Sequence, residues 1–395
     1  MSKRGDSYKD RTKLTHSGNR PADNHGIVNP PVYHASTILF PTVADLRAGS
    51  RDKFTGVYYG RYGTPTTFAL EQAVADLEGA DRAVALPSGL AAVTGALFSF
   101  LKAGDHVLMV DNVYEPSRTL CDHQLARLGI STTYYDPMIG ADIAGLIQPN
   151  TRVVYLESPG SHTFEVQDVP AIAAAAHAKD CIVMMDNTWA SPLFFKPFEH
   201  GVDISIHAAT KYIVGHSDVM MGIITMREAH YKTVKTQVHG MGYSVGPDDC
   251  YLALRGLRTL GARLAQHQQT ALQLGEWLQK RPEVERVLHP ALPNTPGHAF
   301  FKRDFLGSSG LFGMVLKPCA PERLDAMLDG MKLFAMGFSW GGYESLIIPS
   351  HLARSATKWQ EAGPTVRIHA GLEDPADLIA DLEAGFARLR GAADA

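Results

Sequence analysis

From about residue 66 onward, short apolar runs alternate with segments of helical period. Leu70, Ala73, Val74 and Leu77 fall at i, i+3, i+4 and i+7, the apolar stripe of a helix, and Gly79 can end it. Residues 83–86, 106–110, 152–156, 181–185 and 204–207 read as buried strands. Residues 90–101, 117–128 and 169–178 read as helices lying between strands. Alternation of this kind predicts an α/β fold with a mostly parallel sheet and helices on both faces.

The two ends of the chain read differently. The first sixty or so residues look irregular with little helical period, are broken by Pro30, Pro31 and Pro41, and carry Tyr33, Phe40, Phe54, Tyr58 and Tyr59. An aromatic arm with no core of its own is expected to pack on another domain or another subunit. Near residue 250 a long helical stretch over 251–279 leads to strands at 284–288, 311–316 and 365–370, with a last helix over 375–389. The expected organisation is an arm over 1–62, a large domain over 63–256 and a smaller α+β domain over 257–395.

Composition narrows the function classes. Lys plus Arg number 37 against 41 Asp plus Glu, a formal net charge of −4 with no basic block. That offers no general attraction to nucleic acid or to an anionic membrane. Cys121, Cys181, Cys250 and Cys319 lie far apart, which fits neither a zinc site nor a disulfide framework. The N-terminal residues are polar, and no apolar run reaches membrane-spanning length. A cytoplasmic protein without a metal site is expected.

In an open parallel sheet, ligands sit beyond the carboxyl ends of the strands. Ser88-Gly89 joins such a strand end to a helix start, where free N–H groups favour an anion, although a plain helix cap has the same sequence. Asp186 stands at the end of the 181–185 strand, as either a cap or a counter-ion to a protonated pyridine nitrogen. Lys211 lies just after the 204–207 strand. A lysine at an apolar strand end is desolvated and thereby armed to form a Schiff base. Arg367 lies mid-strand in 365–370, and a buried arginine there suits a substrate carboxylate. Together these four features match an amino-acid-handling pyridoxal-phosphate enzyme.

At this point the chain resembles the Cys/Met-metabolism family of fold-type I pyridoxal-phosphate enzymes over nearly its whole length. The strings that carry the resemblance include Tyr59-Gly60-Arg61, Leu156-Glu157-Ser158-Pro159-Gly160, Asp186-Asn187-Thr188-Trp189, Ala208-Ala209-Thr210-Lys211-Tyr212 and Ser339-Trp340-Gly341-Gly342-Tyr343-Glu344-Ser345. The resemblance implies an aspartate-aminotransferase-like large domain with a seven-stranded type of sheet. It implies that Lys211 carries the cofactor as a Schiff base and moves protons, that Asp186 pairs with the pyridine nitrogen and that Tyr114 stacks on the ring. Gly89, Leu90 and Thr210 would hold the phosphate, joined by Tyr59 and Arg61 of a neighbouring subunit. Tyr59 would also reach the substrate, whose α-carboxylate Arg367, Ser339 and Trp340 would position. A homotetramer with shared sites and a small sulfur amino acid as substrate are implied as well.

The reaction implied is β-elimination at a carbon–sulfur bond, of L-cystathionine or other cysteine S-conjugates. The alternatives are γ-elimination and γ-replacement. Ser339-Trp340 favours the β reaction, since many γ enzymes carry an acidic residue in place of Ser339. Three departures from the nearest pattern bear on the substrate. Tyr62 stands where a second arginine is expected, Thr119 where an aspartate is expected, and Phe338 where a tyrosine is expected.

Two other classes compete. Gly337-Phe338-Ser339-Trp340-Gly341 fits the G-x-S-x-G elbow of serine hydrolases, but that requires strand, turn and helix, then Asp followed by His. Here His369 precedes Asp374. A non-catalytic cofactor-binding regulator would have no need of both Lys211 and Asp186.

Overall fold

The computed structural model describes residues 8–391 apart from residues 52 and 55. Two short helices, α1 (Asp10–His16) and α2 (Val43–Arg51), mark the arm. No residue of α2 is buried, and Ile27, Val28, Leu39, Val43 and Leu46 expose apolar side chains along the same stretch. The arm thus presents apolar surface that its own chain does not cover.

The large domain begins at α3 (Pro65–Glu78), whose first position is proline and whose end is Gly79 in the left-handed region at φ 79°. There follow β1 (Arg82–Leu86), α4 (Gly89–Phe100), β2 (His106–Val110), α5 (Glu115–Thr119), β3 (Ser131–Tyr135), β4 (Thr151–Glu157) and α6 (Val169–His177). Next come β5 (Ile182–Asp186), α7 (Ser191–Phe194), β6 (Ile204–His207), β7 (Gly222–Met226) and α8 (Glu228–Gly240). The seven strands form one sheet in the order β1-β7-β6-β5-β4-β2-β3. Pairing is parallel from β3 through β6, while β7 runs antiparallel to both β1 and β6.

Two strands of this sheet depart from the sequence reading, each for a physical reason. β7 follows β6 with no helix between them, as antiparallel pairing permits, so it breaks the expected alternation. β3 is an edge strand of Ser, Thr and Tyr with only its last residue buried, so it carries little apolar signal.

The 32-residue helix α9 (Pro247–Leu278), roughly 48 Å long at 1.5 Å per residue, crosses from one core to another. Leu254, Leu257 and Leu264 pack with α3, whereas Ala271, Leu274 and Leu278 pack with the second sheet. That sheet has the antiparallel order β10-β11-β9-β8, from β8 (Val284–Leu288), β9 (Leu311–Leu316), β10 (Leu346–Pro349) and β11 (Thr365–His369). It is accompanied by α10 (His298–Asp304), α11 (Pro321–Asp329) and α12 (Pro375–Arg390). No described helix is long and apolar enough to cross a membrane.

Candidate active site

A cavity of about 530 Å³ opens at the carboxyl edge of the parallel strands. Its wall holds eight of the eleven residues singled out from sequence, namely Gly89, Leu90, Tyr114, Asp186, Thr210, Lys211, Ser339 and Trp340. A second cavity of about 440 Å³, between the arm and α3, contains none of them.

One end of the large cavity is the start of α4. Ser88 caps this helix, its Oγ accepting from the Ala91 N–H at 3.1 Å. The N–H groups of Gly89 and Leu90 stay outside the helical ladder and suit an anion. Gly89 must be glycine here, because a Cβ would come within 2.5 Å of the Ala208 Cβ. The Thr210 hydroxyl accepts from the Met221 N–H at 2.8 Å, which fixes the loop after β6 against β7.

Asp186 ends β5 and accepts from the Thr188 N–H at 2.9 Å. Burial pushes its carboxyl up, while Thr188, His207 and Lys211 act in the opposite direction. A cation placed against it would complete that compensation.

Lys211 projects its Nζ to within 2.6 Å of the Ser339 Oγ and 5.2 Å from the centre of the Trp340 ring. Burial and the Arg367 guanidinium lower its ammonium pKa to about 8, against the pull of Asp186. Ser339 holds this position in strained backbone, at φ 75°. Gly341 lets the same loop touch the Lys211 backbone, since a Cβ there would lie 3.0 Å from the carbonyl carbon of Lys211.

Arg367, in β11, donates from Nη2 to the Ser339 carbonyl at 2.9 Å. Burial lowers its pKa to about 10, and among the described residues no carboxylate pairs with it. It stands beside the Ser339–Trp340 wall and does not itself line the cavity.

Tyr59 and Arg61 lie outside the cavity. Tyr59 is exposed, and Arg61 donates from Nη1 to the His239 carbonyl at 2.7 Å and stacks over Tyr62. Residues that sequence reasoning passed over do line the cavity, including Glu157, Ser161, Phe164, Thr188 and Met220. Glu157 carried a usable signal, because it ends a buried strand just as Asp186 does.

The serine-hydrolase reading finds no support. No helix follows residues 337–342, and the Ser339 Oγ is engaged by Lys211. His369 lies buried, accepting instead from the Gly341 N–H at 3.0 Å.

An anion cradle, a half-buried carboxylate and a desolvated lysine converge on one cavity, with Arg367 held behind its wall at the Ser339 carbonyl, and the set fits pyridoxal phosphate together with an amino acid. The comparisons agree with this. Residues 11–387 match the family model described as Cys/Met metabolism PLP-dependent enzyme. Cystathionine beta-lyase MetC of Escherichia coli is 48% identical over 387 residues, covering 96% of this chain and 98% of its own. L-alanine/L-glutamate racemase of Wolbachia pipientis is 42% identical over 395 residues, covering 96% and 98%. The crystal structure of metB from Corynebacterium glutamicum superposes with a TM-score of 0.89 at 31% identity, covering 98% of this chain and 99% of that one. The chain belongs to the Cys/Met metabolism family of pyridoxal-phosphate-dependent enzymes.

Proposed function

We propose that this enzyme cleaves the β-carbon–sulfur bond of L-cystathionine and related cysteine thioethers, giving pyruvate, ammonia and a thiol. The observation that carries the reading is the Lys211 Nζ, desolvated and held at the Ser339 Oγ inside a cavity whose wall includes Asp186. The likeness to cystathionine beta-lyases of Escherichia coli, Salmonella typhimurium and Haemophilus influenzae supports the choice of reaction.

When bound, pyridoxal phosphate supplies an aldehyde for the substrate amine and a ring that accepts the electrons released at the α-carbon. Gly89, Leu90 and Thr210 hold its phosphate at the start of α4. Asp186, as the carboxylate, holds positive charge at the ring nitrogen, and Tyr114 stacks on the ring. Arg367, with Ser339 and Trp340, fixes the substrate α-carboxylate and so aims the α-hydrogen at Lys211. With its pKa lowered toward neutrality, Lys211 takes the α-proton and returns a proton to the departing sulfur. In a direct test, thiol release from cystathionine stops on removal of the cofactor and resumes when it is restored. A cofactor-loaded enzyme that releases no thiol overturns the reading.

We further infer a cytoplasmic homotetramer whose sites are shared between subunits. The four cysteines are free, as in a reducing compartment. Tyr59 and Arg61 sit on an arm with uncovered apolar surface and lie outside their own chain's cavity. Placed against a second copy, they would complete its phosphate and substrate contacts. Mixing inactive Arg61→Ala with inactive Lys211→Ala protein is therefore expected to restore up to about a quarter of wild-type activity, the share of sites drawing both intact residues from different subunits at random assortment. No recovery despite demonstrated subunit exchange places each site within one chain.

The distal part of the substrate meets few charges. Tyr62 packs against His239 with ring centres 4.7 Å apart, and Thr119 donates to Glu115 at 3.3 Å; neither lines the cavity. Leu90, Val93, Phe164, Met220 and Phe338 make much of the wall apolar. A lost charge-assisted contact is worth about 1.5–3 kcal/mol, roughly ten- to a hundredfold in specificity. Cystathionine should thus be preferred over S-methylcysteine only weakly, and Tyr62→Arg should raise that preference about tenfold. Steady-state kcat/KM ratios for the two substrates check both statements.

A further inference from the structure

Glu157 has no part in the roles assigned above, yet it ends β4 inside the cavity wall. It stands in register with Asp186 on the neighbouring parallel strand, at an interstrand spacing of about 4.8 Å. Two carboxylates this close in a buried wall strongly resist ionising together. Among the described residues, no lysine, arginine or histidine forms an ion pair with Glu157. Burial and Asp186 push its carboxyl far up, with the Tyr114 amide and Ser161 opposing them. Besides its hydrogen bonds from Ser161, the side chain reaches a distant segment of the chain, where Oε2 accepts from the Tyr114 N–H at 2.8 Å. Tyr114 is 45% exposed, so packing holds its ring on one side only and the backbone anchor adds to what places it.

We propose that Glu157 is a positioning residue of the cofactor site, which fixes the Tyr114 backbone, and with it the ring, at the cavity wall. This rests on the reading of Tyr114 as the residue that stacks on the bound cofactor. An uncharged neighbour also leaves Asp186 as the one anion on that side of the sheet edge. The two strand-end carboxyls therefore divide the work, Asp186 holding charge and Glu157 holding geometry.

The test is titration of the apo forms of four variants with pyridoxal phosphate, read by visible circular dichroism of the cofactor band. Glu157→Ala is expected to weaken binding about tenfold and diminish the dichroism, as loss of one buried hydrogen bond does. Glu157→Gln keeps an uncharged carbonyl acceptor at the same reach and should recover most of that loss. The double variant Glu157→Ala/Tyr114→Ala should bind no worse than Tyr114→Ala, because the two residues act as one unit. Wild-type binding and dichroism in Glu157→Ala overturn the proposal. So does a Glu157→Gln that binds as poorly as Glu157→Ala, since charge would then be what matters. A loss in Tyr114→Ala alone removes the role of Glu157 and keeps that of Tyr114, whereas no loss in either removes both. If Glu157→Ala fails to fold, Glu157→Asp, too short to reach the Tyr114 N–H, replaces it with the same expectations.

Discussion

Replacing Lys211 with alanine is expected to lower carbon–sulfur cleavage by at least about 10³-fold, within the range for loss of a positioned acid–base group. The cavity wall offers no second lysine, and the Ser339 Oγ, 2.6 Å from Nζ, is a far weaker base. The apo protein should not lose stability in parallel. Lys211 is a buried cation whose pKa is lowered to about 8, so folding binds fewer protons at this side chain than the unfolded chain does. Its unfavourable contribution is full below about pH 8 and fades as pH rises toward the ordinary lysine value of about 10.4. Lys211→Ala should accordingly keep or raise the apo melting temperature at pH 7. Borohydride reduction of the wild-type holoenzyme, followed by peptide mapping, should leave the cofactor attached at Lys211. A label on another lysine, or full turnover in Lys211→Ala, contradicts the assignment.

Asp186→Asn should cost on the order of 10³-fold in kcat, the scale of losing one preorganised electrostatic contact. Asparagine keeps the shape and can still accept from the Thr188 N–H, so packing at the end of β5 survives. What disappears is the negative charge proposed to hold the ring nitrogen protonated. The loss should appear in kcat far more than in cofactor occupancy, which the proposed phosphate contacts at α4 should sustain. Unchanged turnover in a cofactor-saturated Asp186→Asn enzyme excludes this role.

These two residues were legible in the sequence because Asp186 ends a largely apolar strand and Lys211 follows closely on another buried strand, where a charge needs a reason. The parallel part of the large sheet was legible for a related reason, since β2, β4 and β5 are largely buried and read as near-continuous apolar runs, and β6 alternates two buried isoleucines with Ser205 and His207. β7 is equally buried but follows β6 through a loop, and a pattern built on helix–strand alternation passes over it. Glu157 has the same placement as Asp186, but its role depends on a hydrogen bond to Tyr114, 43 residues away, which periodicity does not report. Arg367 could be placed mid-strand from sequence, whereas its contact with the Ser339 carbonyl required the loop at Ser339 and its left-handed backbone. Tyr59 and Arg61 were legible only through family resemblance, because their proposed partners belong to another copy of the chain.

The central claim is the bond that breaks. Purified holoenzyme given L-cystathionine, with the keto acid and the thiol both identified, decides it in one measurement. Cleavage on the β-carbon side yields pyruvate and homocysteine in equal amounts with ammonia, and that is the predicted result. Formation of 2-oxobutyrate and cysteine, or no thiol release at all, would contradict it.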